Sequence, residues 1–376
     1  MKAWTFQDPR QKKTHGAKAP WSVGWIDPEG HRKSKRIGLK SSAEKYRRRV
    51  EGELAAGVYE SKSRISWSDF RSEFDTKIAN GMEPSTRYAT LAAIKIFERI
   101  SKPARVSAIG TPMIDDFVSK RRTERGLKRG SIVSPATVNK ELRHIKATLR
   151  IAHEWGYLPN VPKIRMLKEP KKLARYVTAD HFAALYKACN AARRPKGLPY
   201  SAGDWWRALL TFNYMTGWRI GEPLALLRSD LDLEKGQAIT RHGDNKGKSD
   251  ELVPLHPVVV EHLQRLTSFE SVVFPWHHDS RGLYVELDRI HEAAGIHLPC
   301  HEEHEHTAAC HRYAFHDLRR AFATVNAETL SADALQSLMR HKDYSTTQRY
   351  INMAHQLNRS VEGLHVPDVL KAAVVG

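Results

Sequence analysis

The apolar positions near the N-terminus follow the two-residue period of a β-strand. Trp21, Val23 and Trp25 alternate with small residues, which places three large side chains on one face of a strand. A second, basic strand is expected at 32–37, and a capping box that begins at Ser41 starts a basic helix. The pattern predicts a small β-sheet followed by a helix, with one packed face and one cationic face.

From residue 66 to about 160 the apolar residues recur every three or four positions, which is the spacing of amphipathic helices. Trp67 and Phe70 begin the first stripe. Two later helices are expected to start at Thr111-Pro112 and Ser134-Pro135, where a capping residue precedes a proline. The stripes predict a helical core without chemistry of its own. Basic residues outside it are either solvated or in contact with an anionic partner.

A stretch rich in proline and lysine separates these helices from the rest of the chain and predicts a linker. Beyond it, Trp205–Met215 is expected to be a buried helix that stops at Gly217. Arg219 is then expected at the N-terminus of a helix over 220–227, a favourable position for an anion. Two short strands at 237–241 and 251–255 follow; they form a hairpin with a basic tip.

The fold class predicted from these patterns is mainly α with small β-sheets (α+β). The segments expected in order are a basic sheet-and-helix module, a helical domain, a linker, a larger domain and a tail: 1–60, 66–160, 161–174, 175–365 and 366–376.

The charge of the chain favours a polyanionic partner. The sequence has 61 Lys and Arg against 42 Asp and Glu, a net charge of +19, and the basic residues are interleaved with Trp and Tyr, which favours nucleic acid over solubility alone. No apolar run is long enough to span a membrane and the N-terminus lacks a signal peptide, so we expect a cytoplasmic protein, associated with the nucleoid when bound to DNA. The 3 cysteines argue against a disulfide scaffold.

Residues suited to phosphate chemistry are concentrated near the C-terminus. His316 and Arg319 are three residues apart, so that on a helix they face one small anion together. His341 and Tyr350 follow. A proton acceptor, a guanidinium, a second donor and a hydroxyl suit attack on a phosphodiester, where charge develops on the phosphoryl oxygens.

Two upstream segments make this pattern specific. Thr216-Gly217-Trp218-Arg219 precedes a hairpin in which Lys246 lies shortly before Val253-Pro254-Leu255. With His316-x-x-Arg319, His341 and Tyr350, the chain resembles the tyrosine recombinases, the phage-type integrases, over roughly residues 66–360.

The resemblance implies a role for each matching residue. Tyr350 would be the nucleophile and His316 would accept its proton, because a phenol ionises only near pH ~10. Arg219 and Arg319 would hold the non-bridging oxygens, and His341 would donate a further hydrogen bond. The lysine at 246, rather than the one at 248, would protonate the departing 5′ oxygen.

The resemblance also implies how the protein works as an assembly. A SAM-like core-binding domain would hold double-stranded DNA opposite the catalytic domain, after an N-terminal module that binds arm-type DNA. A homo-tetramer would act on two synapsed sites, with an accessory DNA-bending protein as a further partner and no membrane. A 3′-phosphotyrosyl intermediate would conserve bond energy, so neither ATP nor a catalytic metal is required. The product would be the integration or excision of a mobile element.

Two other functions share parts of this pattern. A type IB topoisomerase has the same kind of site and relaxes a single duplex, although the core-binding domain and the basic N-terminal module disfavour it. A DNA-binding protein of the same fold could lack catalysis, although it would not need Tyr350. The family usually has glycine where this chain has Arg340, which weakens the assignment of His341.

A segment before His316 lies outside the family pattern. It contains two cysteines and several histidines that suit a tetrahedral zinc site. The candidate ligands are Cys300 and Cys310 with two of three histidines: His304, His306 and His311. A polar loop with incidental histidines is the alternative, in a chain that has 20 histidines. Such a metal would brace the loop that leads to His316 and take no part in the chemistry.

Overall fold

The chain is described by a computed structural model that covers residues 3–28, 30–57, 65–170, 175–241, 243, 250–300 and 305–357. It divides into two compact units, Met1–Glu169 and Pro170–Gly376. The described residues are mainly helical and include two small three-stranded antiparallel sheets, as the sequence predicted. Within those ranges, no helix combines the length and the apolar character needed to cross a membrane.

The N-terminal part of the first unit is a sheet covered by a helix. In chain order its elements are β1 (Ala3–Gln7), α1 (Pro9–His15), β2 (Trp21–Ile26), β3 (Arg32–Gly38) and α2 (Lys40–Ala55). The strand order is β1-β2-β3. Val23 and Trp25 are buried, and Trp21 packs partly buried against the same core, so the alternation along β2 predicted its inner face correctly.

Two close contacts determine how this sheet packs. Gly24 has no Cβ, and an added one would lie 2.6 Å from Cε2 of Trp4. The predicted capping box at Ser41 is wrong, because α2 begins at Lys40 and no side chain caps it. The Glu44 carboxylate instead accepts a hydrogen bond from the Thr5 hydroxyl at 3.0 Å, which links the helix to β1.

Four helices form a separate hydrophobic core in the same unit. They are α3 (Trp67–Lys77), α4 (Pro84–Ser101), α5 (Thr111–Thr123) and α6 (Pro135–Glu154). Ser134 caps α6 as predicted, since its side chain accepts from the Thr137 N–H. The predicted cap at Thr111 is wrong by one residue: Gly110 is the cap, and the Thr111 hydroxyl accepts from Lys163 N at 3.1 Å.

Part of the stretch predicted as a linker packs on these helices. Val161, Ile164 and Leu167 lie against the helical core. The buried Asn139 side chain exchanges hydrogen bonds with the backbone of Leu167, at 2.8 Å to its N–H and 2.9 Å to its carbonyl. Residues 161–169 therefore belong to the first unit, and 171–174 lie outside the described residues.

The second unit is built around one buried helix. Its elements are α7 (Ala179–Ala188), α8 (Ala202–Thr216), α9 (Gly221–Ala225), β4 (Leu231–Asp232), β5 (Gln237–Thr240), β6 (Glu251–Pro254), α10 (Pro257–Gln264), α11 (Ser280–Ala293), α12 (Phe315–Asn326), α13 (Ala332–Met339) and α14 (Tyr344–Leu357). In α8, Trp205, Trp206 and Phe212 are fully buried. The helix ends at Gly217 with φ +63°, as the sequence predicted.

The helix after Arg219 is shorter than predicted. It covers only Gly221–Ala225, because the following residues pair with another segment. Leu226 O accepts from Val273 N and Arg228 N donates to Ser271 O, each at 2.8 Å. This pairing replaces the last part of the helix that was expected to reach residue 227. Arg219 therefore does not lie at the N-terminus of a long helix.

A second, smaller core holds the C-terminal helices together. It is formed by buried residues of α12, α13 and α14, among them Phe322, Met339 and Ala354, with Tyr350 packed against them. The predicted tail, 366–376, lies outside the described residues.

Candidate active site

Arg319 lies on the buried side of α12 and is 2% exposed. Its Nη1 donates to the carbonyl of Gly217 and its Nη2 to that of Met339 at 2.5 Å. These carbonyls lie at the ends of α8 and α13, where the backbone lacks partners in its own helix. The two bonds fix the guanidinium plane and leave its other N–H donors for an anion.

His316 lies one turn earlier on the same helix, at its solvent-exposed start. The N-terminal turn of α12 is closed by Asp317, whose carboxylate accepts from Ala314 N at 2.8 Å and pairs with Arg320 at 2.8 Å. The neighbouring Arg320 is thereby held by its own helix, while the His316 side chain remains exposed.

Arg219 is held by the carboxylate of Glu222, which is 4% exposed. Glu222 Oε2 accepts from the backbone N–H of Arg219 at 2.8 Å, and Oε1 accepts from its Nη1 at 3.2 Å. The Arg219 side chain remains one-third exposed, so part of its guanidinium is accessible.

Arg340 occupies the position where the family usually has glycine. Its backbone has φ +51°, a left-handed conformation that favours glycine at the end of a helix. Its side chain is 6% exposed and pairs with Glu222 Oε2, and its guanidinium lies 4.6 Å from the centre of the Trp218 ring. Nε and Nη1 of Arg340 are buried without a hydrogen-bond partner. Glu222 therefore joins two arginines.

His341 follows directly and is 9% exposed. Its Nδ1 lies 3.0 Å from the hydroxyl of Thr347. When that hydroxyl donates, Nε2 carries the ring proton and is the donor for a ligand. The ring of Tyr350 stacks on that of His341, with centres 5.9 Å apart and planes 9° apart. His341 therefore lies beside Tyr350 even though Arg340 replaces the glycine that the family usually has before this histidine.

The electrostatics of the cluster favour a bound anion. Burial and, after it, the positive charge of Arg219 lower the pKa of Arg319 to about 10. Burial, followed by the charges of Arg319 and Arg219, lowers the pKa of His341 to about 4. The pKa of His316 is lowered by desolvation first and then by Arg320 and Arg319. Both histidines are therefore neutral at pH 7, and a phosphate would relieve the repulsion among the guanidinium groups.

The structure thus brings together five of the six residues expected from the catalytic pattern: Arg219, His316, Arg319, His341 and Tyr350. The sixth, Lys246, belongs to a hairpin tip that lies outside the described residues. The hairpin strands themselves pair in register, with Thr240 opposite Glu251.

The candidate metal ligands are only partly described. Cys300, His306 and Cys310 offer ligand atoms that all lie within 4.8 Å of one another. The ring of His311 lies next to that of His306, with centres 5.5 Å apart. His304 lies outside the described residues.

Sequence reasoning did not find two supporting contacts. The bond from Arg340 to Glu222 joins residues 118 positions apart, and local patterns carry no signal for it. The second is Thr347, whose complete burial and contact with His341 make it a positioning residue. The sequence signal for Thr347 is that a polar residue occupies the inner, otherwise apolar face of an amphipathic helix.

Comparison with known proteins assigns the class. Residues 175–356 match the model of the phage integrase family. The chain is 26% identical over 261 residues to the tyrosine recombinase XerC of Lactobacillus delbrueckii subsp. bulgaricus, covering 64% of this chain and 80% of the relative.

Solved structures show the same fold. A lambda integrase dimer bound to a COC′ core site matches with TM-score 0.60 and 17% identity, over 96% of this chain and 97% of that one. A lambda integrase tetramer bound to a Holliday junction matches with TM-score 0.60 and 16% identity, over 96% and 98%.

The fold and the matched residues define a DNA strand-exchange enzyme of the tyrosine type. Residues 175–356 belong to the phage integrase family, and the comparisons support a tyrosine recombinase, an enzyme of site-specific DNA recombination.

Proposed function

We propose that this recombinase cuts and rejoins double-stranded DNA through a 3′-phosphotyrosyl intermediate at Tyr350, and that it integrates or excises a mobile element. The observation that carries the proposal is the stacking of Tyr350 on His341, within the charge environment of Arg219 and Arg319. A hydroxyl beside two guanidinium groups and a neutral imidazole is suited to attack on a phosphodiester.

In the cleavage step the Tyr350 oxygen attacks the scissile phosphorus while the bond to the 5′ oxygen breaks. His316, neutral at pH 7, accepts the phenol proton. Arg219 and Arg319 neutralise the charge that develops on the non-bridging oxygens, since guanidinium N–H pairs match that geometry. His341 donates a further hydrogen bond through Nε2.

The leaving 5′ oxygen needs a proton. Lys246 is proposed as the donor, from its position on the hairpin between β5 and β6. The 5′-hydroxyl of a second strand then attacks the same phosphorus, and the bond to Tyr350 breaks as the phenol regains its proton. Bonds and charges balance over the two steps, so the strands are exchanged without an external energy source.

The charge of +19 and the likeness to lambda integrase bound to DNA support a duplex as the substrate. We propose that a homo-tetramer acts on two synapsed sites, by analogy with the lambda integrase tetramer on a Holliday junction. Residues 1–60 are proposed as the arm-binding part of each protomer, and 66–160 with the packed residues 161–169 as the core-binding part. The linker is then reduced to 170–174, and 175–365 with the tail is the catalytic part.

The experiment is a cleavage assay on a nicked duplex that carries the end of the element encoding the chain. The nick releases a short oligonucleotide after cleavage, so the covalent product accumulates. Tyr350→Phe retains the stacked ring and removes only the hydroxyl. We expect a covalent protein–DNA band with the natural chain and none with Tyr350→Phe.

Tyr344→Phe is the matched control, because Tyr344 begins the same helix and is 42% exposed; it should give the wild-type band. Persistence of the band in Tyr350→Phe contradicts the proposal. Relaxation of supercoiled DNA without strand exchange between two sites would assign a topoisomerase instead. Binding without any covalent band on this substrate would contradict the proposed catalysis.

A further inference from the structure

A cluster of two cysteines and one histidine lies apart from the proposed active site. The ligand atoms of Cys300, His306 and Cys310 lie within 4.8 Å of one another. Cys310 is 4% exposed, Cys300 is half-buried and His306 is exposed. No residue of this cluster enters the recombination chemistry, so its grouping needs another explanation.

The spacing fits a metal ion of zinc's size. Zinc–sulfur bonds of about 2.3 Å in a tetrahedron place two sulfurs roughly 3.8 Å apart, and a nitrogen ligand slightly closer. Two thiolates with imidazoles are a ligand set that structural zinc sites use and that Mg²⁺ or Ca²⁺ do not.

His311 is the candidate for the fourth ligand. Its Nδ1 lies 2.6 Å from the carbonyl of Leu298, so Nδ1 is the donor and Nε2 carries the free lone pair. Zinc-bound histidines are commonly oriented in this way by a backbone carbonyl. The ring lies 5.5 Å, centre to centre, from that of His306, so His311 lies beside the three grouped residues.

We propose that Cys300, His306, Cys310 and His311 bind one structural Zn²⁺ ion. With four protein ligands the ion has no open position and takes no part in catalysis. This inference is independent of the proposed recombination reaction.

The site would stiffen the approach to α12. The backbone of this segment already pairs across the loop, since Leu298 N donates to His311 O at 2.8 Å. Tyr313 N donates to Nε2 of the buried His291 at 3.1 Å. An ion would join the two ends of the 300–310 loop a few residues before His316, and so hold the start of the helix that carries His316 and Arg319.

The test measures metal directly in the full-length chain, purified without chelators and without a metal-binding tag. We expect about one zinc ion per chain by elemental analysis, as for a single structural site. Cys300→Ser, His306→Ala, Cys310→Ser and His311→Ala should each lose it. Cys189→Ala is the matched control: Cys189 is buried in the main core of the second unit and should leave the metal content unchanged.

A second readout does not depend on folded variants. Titration of the natural chain with an organomercurial should release zinc in step with modification of two thiols, detected with a coloured chelator. Replacement of zinc by Co²⁺ should give the visible absorption of a tetrahedral site and a thiolate-to-cobalt charge-transfer band.

Zinc-free natural protein that takes up no Co²⁺ overturns the proposal, as does zinc that remains in both cysteine variants. A disulfide between Cys300 and Cys310 in the purified chain would also overturn it. Zinc that is lost from the other variants and retained by His311→Ala would overturn the assignment of the fourth ligand.

Discussion

Arg219, Arg319 and Arg340 form an arginine cluster, and among the described residues Glu222 is the one carboxylate that touches it. It accepts hydrogen bonds from Arg219 and pairs with Arg340, while Arg319 is held by backbone carbonyls alone. Its charge is therefore the internal counter-ion of a site that is otherwise built to hold a phosphate. Removal of that charge should leave the guanidinium groups to repel one another.

We predict that Glu222→Gln lowers the free energy of unfolding by about 3 kcal/mol, because the loss of one partner leaves buried charge uncompensated. Sulfate should restore more stability in this variant than in the natural chain, by occupying the anion position. Urea denaturation with and without sulfate measures both effects.

Glu286→Gln is a matched control for this variant. Glu286 is 2% exposed and pairs with Arg289, and neither residue belongs to the candidate site. Its variant should also lose stability, but sulfate should not restore it. Equal responses of the two variants to sulfate would contradict the view of Glu222 as the counter-ion of an anion site.

His341 predicts a pH dependence of stability. Its pKa is lowered from 6.5 to about 4, chiefly by burial, so the unfolded chain binds more protons than the folded one between these values. The contribution of His341 to the free energy of unfolding is fully present above pH 6.5. It is lost as the pH falls toward 4, by up to about 3 kcal/mol. Comparison of the natural chain with His341→Gln by urea denaturation at several pH values should show a flatter profile in the variant, and parallel profiles would contradict the assignment.

Among the elements, the end of α8 sets the position of two arginines of the candidate site. Gly217 ends the helix with φ +63°, its carbonyl accepts from Arg319, and Arg219 follows two residues later. An added Cβ on Gly217 would lie 2.6 Å from Cδ1 of Phe322. The same residue thus ends one helix, packs against α12 and binds its arginine.

We predict that Gly217→Ala costs roughly 3 kcal/mol, from left-handed strain and from displacement of α12, together with a large loss of cleavage. Gly295→Ala is the control, because Gly295 has φ +66° and nothing within 4 Å of an added Cβ. It should cost only about 1 kcal/mol. Thermal unfolding compares them, and equal losses would show that the contact with Phe322 is unimportant.

The sequence predicted the elements whose pattern is local and repeated. The buried helix α8, its stop at Gly217 and the inner face of β2 follow from periodicity and from glycine's freedom at positive φ. The length of α9 could not be predicted, since residues 226–228 pair with 271–273 and this tertiary pairing ends the helix. The same holds for the contact of Arg340 with Glu222, which depends on how α13 packs against the segment after α8.

The whole molecule carries a net charge of +19, which should dominate its affinity for duplex DNA. We predict that the logarithm of the binding constant falls linearly with the logarithm of salt, with a loss of about a thousandfold between roughly 50 and 200 mM, as for proteins that contact several phosphates. Tyr350→Phe should retain the same slope, because it removes no charge. Fluorescence anisotropy measures both, and a loss below tenfold would contradict binding through many phosphates.

Covalent attachment of Tyr350 to DNA can be located by peptide mapping of the trapped protein–DNA complex. Trypsin places the two tyrosines of α14 in different peptides, residues 343–349 and 350–359, because Lys342, Arg349 and Arg359 are the cleavage points. After nuclease digestion, tandem mass spectrometry should locate a nucleotide attached through its 3′ phosphate to Tyr350. A nucleotide on Tyr344 or on Tyr313 would assign the nucleophile to another residue, and attachment through a 5′ phosphate would exclude a 3′-phosphotyrosyl bond.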